Sequence, residues 1–188
     1  MRRSGLVTVD NPSRIFLSER SDKTSGAVVV CSMEGSRPIL AEIQSLVAPT
    51  SYATPQRTAT GYDSRRLQML LAVLEKRVGL RLSTSDVFVN VTGGLRLTEP
   101  AIDMGIIAAV ASSFRDIPVE PKAVLFGEVG LSGEIRAVSH LDARLTESAH
   151  LGFEHAFVPS FEQNETPGVN GIEIHGVRSI HDLIDKIL

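Results

Sequence analysis

Two adjacent segments near the start of the chain carry the apolar pattern of β-strands. Gly26–Met33 is mostly apolar and Pro38–Ala48 alternates, so both segments predict strands, joined by a turn at Glu34–Arg37. In the second strand every second residue from Ile39 to Val47 falls on one side. The pattern therefore predicts a hairpin with one packed face.

Two helices with different surfaces are predicted further along the chain. The first begins at Asp63, a good N-cap, and ends at Gly79, a good stop. Its apolar stripe comprises Leu67, Leu70, Leu71, Leu74 and Val78, and its basic residues Arg65, Arg66, Lys76 and Arg77 lie beside or opposite that stripe. The second helix opens at Thr98–Pro100 and is apolar nearly all round, which predicts a central, buried helix.

Shorter strands and helices alternate through the rest of the chain. A capping box is predicted at Ser139, with Asp142 three residues on. Strands are expected at Gly5–Val9, Arg57–Gly61, Asp86–Thr92, Ala123–Val129, Glu134–Val138, His155–Pro159 and Ile172–Val177, and helices at Asn11–Leu17, Ser139–Leu151 and Ser179–Leu188. We interpret residues 1–188 as a single α+β domain with a mixed sheet, with a β-rich part at about 5–60 and an α/β part at about 61–188.

Length and charge narrow the function classes. The 188 residues are 43% hydrophobic, enough for one domain with a real core. The net charge of −3 excludes a histone-like polycation, but residues 1–97 hold 13 basic and 8 acidic residues, net +5, whereas residues 98–188 hold 6 and 14, net −8. One cysteine, Cys31, in an apolar run and no apolar segment of membrane-spanning length indicate a cytoplasmic protein without a membrane partner.

The common signatures of cofactor chemistry are missing. The chain has no phosphate-binding loop of the G-x-x-x-x-G-K-[ST] type, so we do not expect it to hydrolyse ATP alone. All five histidines lie from His140 to His181, and none pairs at helical i, i+4 spacing or with a cysteine. The sequence therefore predicts no metal site, and solvated histidines instead.

Several blocks in a fixed order resemble the C-terminal domain of the bacterial DNA repair family RadA, also called Sms. The blocks are Asp10–Ser13, Phe16–Arg20, Leu71–Arg77, Asp86–Gly94, Glu99–Asp103 and Phe126–Val138. The resemblance covers roughly residues 5–185. It implies a role in DNA recombination and repair after DNA damage, with DNA, other copies of the chain in a hexameric ring and the recombinase RecA as partners. It also implies that ATP, magnesium and zinc belong to parts of the family's proteins that precede this domain, so that this chain itself holds no cofactor.

Residues 60–160 are also similar to the proteolytic domain of Lon proteases. This similarity implies a Lon proteolytic-domain-like (ribosomal protein S5 domain 2-like) fold with a mixed β-sheet and packed helices. Lon uses a Ser-Lys dyad, and the matching motif positions here hold Ala101 and Asp142. A methyl group cannot attack a carbonyl, and a carboxylate cannot act as the neutral amine base. We therefore expect a pseudoprotease that is not an enzyme on its own.

The function that the sequence predicts is a non-catalytic scaffold that contacts DNA. Its candidate DNA-binding residues are Arg57, Arg65, Arg66, Lys76, Arg77 and Arg81, whose charges suit sequence-independent contact with phosphates. One alternative is a Lon-like peptidase with a relocated dyad, in which Ser112 or Ser113 would work with Lys23, Lys76, Lys122 or Lys186. Another is a protein-interaction module for repair partners whose docking face is the acidic segment 142–185.

Overall fold

A mixed sheet with helices on both faces forms the framework of the chain. The computed structural model describes Ser13, Leu17, residues 24–160 and residues 168–188. The strand predicted at Gly5–Val9 lies outside the described residues, as does most of the helix predicted at 11–17.

Seven of the strands belong to one sheet. The sheet strands are β1 (Ala27–Glu34), β2 (Arg37–Pro49), β3 (Arg57–Thr60), β4 (Ser85–Val91), β5 (Ala123–Leu125), β8 (His155–Pro159) and β9 (Glu173–Val177), and a separate two-stranded ribbon holds β6 (Glu128–Val129) and β7 (Ile135–Arg136). The order across the sheet is β3-β4-β2-β1-β5-β8-β9. The β1–β2 and β2–β4 pairs are antiparallel and the other pairs are parallel. The α+β class with a mixed sheet is thus confirmed.

The helices are α1 (Ser64–Val73), α2 (Asp103–Arg115), α3 (Leu141–His150) and α4 (Ile180–Ile187). A π-helical turn, Leu74–Val78, continues α1, and short 3₁₀ turns lie at Leu82–Thr84, Thr92–Gly94 and Pro100–Ile102. In the described part of the chain, none of the helices has the length and apolarity required to cross a membrane.

The predicted ends of α1 are confirmed. The Asp63 carboxylate accepts a hydrogen bond of 2.7 Å from the Arg66 amide, which satisfies one of the free N–H groups of the first turn. At the other end Gly79 takes a left-handed conformation with φ of 78°. The helix therefore spans the predicted interval and turns its leucines toward the sheet.

Two apolar clusters lie on opposite faces of the sheet. The larger cluster joins α1, α2 and α4 to one face, and the smaller one joins α3 and Phe153 to the other. Leu40 of β2 is buried in the smaller cluster, while Ala41 is buried in the larger one. The predicted face of β2 is therefore packed, but the opposite face is packed as well at Leu40, because α3 and Leu17 cover it there.

The interval predicted as one strand, Ala123–Val129, is two strands in two sheets. The chain leaves the main sheet after Leu125, where the Phe126 amide donates to the Phe157 carbonyl at 3.2 Å. The Gly127 amide then donates to the Ala101 carbonyl at 2.7 Å. The break brings the β6–β7 ribbon beside the start of α2.

The capping box predicted at Ser139 is also wrong. Helix α3 begins at Leu141, and the residue before it, His140, has a left-handed backbone with φ of 56° and makes no side-chain cap. A buried residue of the helix, Arg144, instead donates to the Ser139 carbonyl at 2.9 Å. A buried side chain of the helix itself therefore holds the backbone just before the helix start.

Helix α2 is central and buried, as predicted, and it lies unusually close to β1. A Cβ atom on Gly105 would stand 2.1 Å from a methyl carbon of Val30, far inside van der Waals contact. Only glycine permits this approach. This contact sets the distance between α2 and β1. It thereby also sets the position of the turn at Pro100–Ile102, which leads into α2.

Candidate functional site

The first candidate site is the outer surface of α1. Because Leu67, Leu70 and Leu71 are buried against the sheet, the opposite side of the helix faces solvent. Exposed basic side chains on or after this helix belong to Arg65, Lys76, Arg77 and Arg81. Among the residues that the structure describes, these four form no ion pair. Their charges are therefore available to an anionic partner.

Arg66 is placed differently from the other predicted DNA-binding residues. Its guanidinium forms an ion pair with Asp103, a fully buried carboxylate of α2, and lies 3.8 Å from Glu128. Asp103 also accepts hydrogen bonds from the Tyr62 hydroxyl at 2.6 Å and the Val129 amide at 3.2 Å. Arg66 thus compensates a buried charge and joins α1 to α2.

The contacts of this network raise the pKa values of Arg66 and Tyr62. The hydrogen bond to Asp103 raises the pKa of Arg66 well above its usual range. Burial, followed by the neighbouring Asp103 charge, raises the pKa of Tyr62. Arg66 therefore stays cationic and Tyr62 stays protonated at every physiological pH.

Arg57 and Arg81 both lie next to Leu82, near the start of β3. The Arg57 side chain is half-buried and donates to the Leu82 carbonyl at 3.3 Å, and Arg81 is the exposed residue next to Leu82. This pair lies near the C-terminal end of α1, since Glu75 after that helix accepts a hydrogen bond from the Ser83 amide. Arg57 is thus partly engaged by the backbone, while Arg81 is exposed to a ligand.

A basic residue that the sequence analysis missed, Arg96, lies near the other end of α1. Arg65 and Arg96 line the same cavity of about 520 Å³. Gly61 also lines this cavity, and a Cβ there would stand 2.4 Å from the Leu95 carbonyl oxygen, so the backbone of Leu95 can approach only because residue 61 is glycine. Arg96 lies in a loop without periodicity, and the only sequence signal for it is its charge after Gly93 and Gly94.

The second candidate site is the protease-like position. Ala101 is buried within the 3₁₀ turn that precedes α2, and its carbonyl accepts the hydrogen bond from Gly127. Asp142 is exposed in the first turn of α3. The residue predicted at the nucleophile position is thus a shielded methyl group, and the residue predicted at the base position is a solvated carboxylate.

A buried ion pair links the two halves of that position. Glu99, just before the turn, pairs with Arg144 of α3, whose side chain is fully buried. Arg144 also donates to the Cys31 carbonyl at 2.5 Å, and Glu99 accepts from the Met33 amide at 2.8 Å. These contacts tie α3, β1 and the Ala101 turn together with structural hydrogen bonds.

In the alternative with a relocated dyad, the two candidate serines form hydrogen bonds with backbone groups. Ser112 is buried, accepts from the Gly26 amide at 2.9 Å and donates to the Ile117 carbonyl at 2.5 Å. Ser113 accepts from the Val47 amide at 2.9 Å.

The lysines of that alternative have other partners or no serine partner. Lys122 pairs with Glu154, and Lys186 pairs with Asp182 at 3.0 Å. Lys76 is exposed, and Lys23 lies outside the described residues. Neither Ser112 nor Ser113 is hydrogen-bonded to a lysine among the described residues.

Three residues that sequence spacing did not bring together meet at the far end of the sheet. His155 of β8 and Glu173 and His175 of β9 place their ligand atoms within 4.8 Å of one another. Neither helical spacing nor a cysteine motif joins them; they meet because two parallel strands pair.

Fold and site together define the class of this chain. It is an α+β chain with a mixed seven-stranded sheet and with a set of exposed basic residues on and after α1.

The chain is similar to curated proteins named DNA repair protein RadA. It is 48% identical to DNA repair protein RadA of Halalkalibacterium halodurans over 188 residues, and 48% identical to the RadA of Bacillus subtilis over 184 residues. It is 45% identical to the RadA of Streptococcus pyogenes serotype M1 over 190 aligned positions. The match includes the whole chain, and it confirms the resemblance to the C-terminal part of RadA.

The chain spans about two fifths of the length of these curated relatives, 40–41% in each of the three. No protein-family model matches it.

Proposed function

We propose that this chain is a non-catalytic, Lon-like domain of a RadA-type DNA repair protein, which serves as a scaffold for ring assembly and contacts DNA through a basic surface. The observation that carries the DNA contact is the set of exposed cations on and after α1, which form no ion pair with any other described residue. The RadA match supports the repair role, since all three relatives named above are DNA repair proteins.

The contact chemistry follows from the side chains. Arg65, Lys76, Arg77 and Arg81 are exposed cations, and such charges attract the phosphates of any nucleic-acid sequence. Arg96 extends the surface at the Arg65 end. Arg66 is left out of the proposed contact set, because its charge is used by Asp103.

Fluorescence anisotropy with labelled duplex and single-stranded oligonucleotides at several salt concentrations tests this proposal. The variant R65A/K76A/R81A removes three exposed charges without touching the Asp103 network. We expect weaker binding to both oligonucleotides. On duplex DNA the slope of log affinity against log salt should also become shallower, by about 0.9 for each phosphate that the variant no longer neutralises.

A matched control removes the same charge elsewhere. The variant R37A/R115A/K122A also deletes three exposed cations, from the start of β2, the end of α2 and the segment before β5, where Lys122 pairs with Glu154. This variant should bind both oligonucleotides with nearly wild-type affinity. Only a small decrease is expected, because its net charge is more negative. Equal losses of affinity in the two triple variants would assign the binding to overall charge and refute the proposed surface.

Assembly is the second part of the proposal, and an uncovered region of the sheet supports it. Leu46 of β2 is 60% exposed, beside a groove of about 590 Å³ that Phe88, Thr58 and Thr60 also line. An exposed apolar side chain in a concave surface suits contact with another copy, and opposite net charges of the two sequence halves favour a head-to-tail arrangement.

Light scattering of the chain across a range of concentrations tests this contact. We expect association to increase with concentration and to decrease in L46D, while L131D should not change it. Leu131 is a matched control because it is equally exposed, at 64%, but lies on the β6–β7 turn. A chain that stays monomeric at every concentration would contradict the assembly role.

A further inference from the structure

The paired strands β8 and β9 place three metal-ligating side chains on one side of the sheet edge. The strands are parallel, with His155 opposite Glu173 and Phe157 opposite His175. Side chains two residues apart on a strand share a face, so His155, Glu173 and His175 all project from the same one. Strand β9 is the last strand of the sheet, so this cluster lies at an open edge.

The distances between the ligand atoms fit a small cation. The Nδ1 atom of His155 lies 3.2 Å from Nε2 of His175 and 3.4 Å from a carboxylate oxygen of Glu173. The second carboxylate oxygen lies 3.9 Å from His175 Nε2. A tetrahedral ion with bonds of about 2.0–2.1 Å to N and O requires its ligand atoms to stand about 3.3 Å apart.

Packing against Phe157 orients one of the three ligands, His175, before any ion binds. The His175 ring stacks on Phe157, with ring centroids 4.8 Å apart and planes 21° from parallel. Both imidazoles are about one-third exposed, which leaves an entry path, and Glu173 is the most exposed of the three. A site that is already arranged loses little side-chain freedom on binding.

The donor set identifies the class of ion. Two imidazole nitrogens and one carboxylate are typical ligands of zinc and of neighbouring divalent transition metals, and are a poor set for calcium or magnesium. Three protein ligands leave a fourth tetrahedral position for water.

We propose that His155, Glu173 and His175 form a binding site for a divalent transition-metal ion of the zinc type, which joins the edge strand β9 to β8. This proposal replaces the expectation of solvated histidines, and it is independent of the proposed DNA contact. An ion that binds only the folded chain stabilises it. The gain in free energy of unfolding grows with the logarithm of the ratio of ion concentration to dissociation constant.

Calorimetric titration of the tag-free chain with zinc tests the site, and cobalt(II) provides a visible spectrum that reports the coordination geometry. We expect one ion per chain, tetrahedral cobalt bands, and a melting temperature that rises with zinc and returns with a chelator. The variants H155A and H175A should abolish saturable binding. E173Q should weaken binding about tenfold or more, because a neutral amide replaces a charged ligand.

The exposed histidine of α3 supplies the control. H150A removes an imidazole that belongs to no ligand cluster among the described residues, and it should bind zinc as the wild type does. Circular dichroism of each variant without metal checks that it is folded. The proposal is overturned by absence of saturable binding to the folded wild-type chain, or by full binding in folded H155A or H175A.

Discussion

The buried pair of Glu99 and Arg144 should contribute strongly to stability. Two substitutions test it: E99Q removes the negative charge with little change of shape, and R144M keeps most of the buried stem and removes the positive charge. Both should destabilise the fold, because each leaves polar groups of the pair without their partner.

The structure sets the size of each effect. In E99Q the Arg144 charge stays fully buried and keeps the Cys31 and Ser139 carbonyls as acceptors, but the neutral amide of the new side chain no longer balances that charge. Loss of one member of a buried pair costs about 3–5 kcal/mol, and the partial exposure of Glu99 places this variant near 3 kcal/mol. R144M leaves two carbonyls without a donor, at about 1–3 kcal/mol each when buried.

Equilibrium urea unfolding of the wild type, the two single variants and the double variant E99Q/R144M measures the effects. Because both substitutions remove the same interaction, the double variant should be more stable than the sum of the single losses predicts, by about 2–3 kcal/mol. Strict additivity, or single losses below about 1 kcal/mol as for exposed pairs, would refute the reasoning.

Three further expectations concern packing, capping and thiol chemistry. G105A should lower the free energy of unfolding by about 1–3 kcal/mol, because the added methyl group meets Val30. In thermal unfolding, adding V30A to the same chain should recover part of this loss. An unchanged stability of G105A would contradict the close approach. D63A should lose about 1 kcal/mol of unfolding free energy through the missing cap to Arg66, whereas D63N should lose much less, and equal losses would exclude capping as the cause. Burial raises the pKa of the Cys31 thiol to about 12, so iodoacetamide at pH 8 should label the chain only after unfolding, and stoichiometric labelling of the native chain would disprove this.

Elements with local signals were predictable from the sequence. Helix α1 has its cap at Asp63, its stop at Gly79 and a regular apolar stripe, and all three are present in the structure. Strand β8 has the predicted bounds, His155–Pro159. Such signals depend only on neighbouring residues, so the sequence is sufficient to predict them.

Elements fixed by distant contacts were not predictable in the same way. The start of α3 depends on Arg144, which is buried by groups more than 40 residues away, including Glu99. The break at Phe126 depends on Phe157 and Ala101, which belong to other elements. A local pattern carries no information about these partners.

The candidate sites also contain some residues that local sequence signals predicted and others that depend on distant contacts. Exposed cations such as Lys76 followed from helical spacing, but the engagement of Arg66 by Asp103 required knowledge of how α1 meets α2. The cluster of His155, Glu173 and His175 required the pairing of two parallel strands and their register. Sequence spacing rules for metals describe helices and cysteine loops and do not include this case.

The central place of β1 in the sheet has a consequence for how the chain folds. On one side β1 pairs with β2 through a two-residue turn at Gly35, while on the other side Val29 meets Val124, far along the chain. Closing the short loop costs much less chain entropy than closing the long one. We expect the hairpin to form early and to act as the template on which the C-terminal strands later assemble. Pulse-labelling hydrogen exchange during refolding would then show earlier amide protection in β1 and β2 than in β8 and β9.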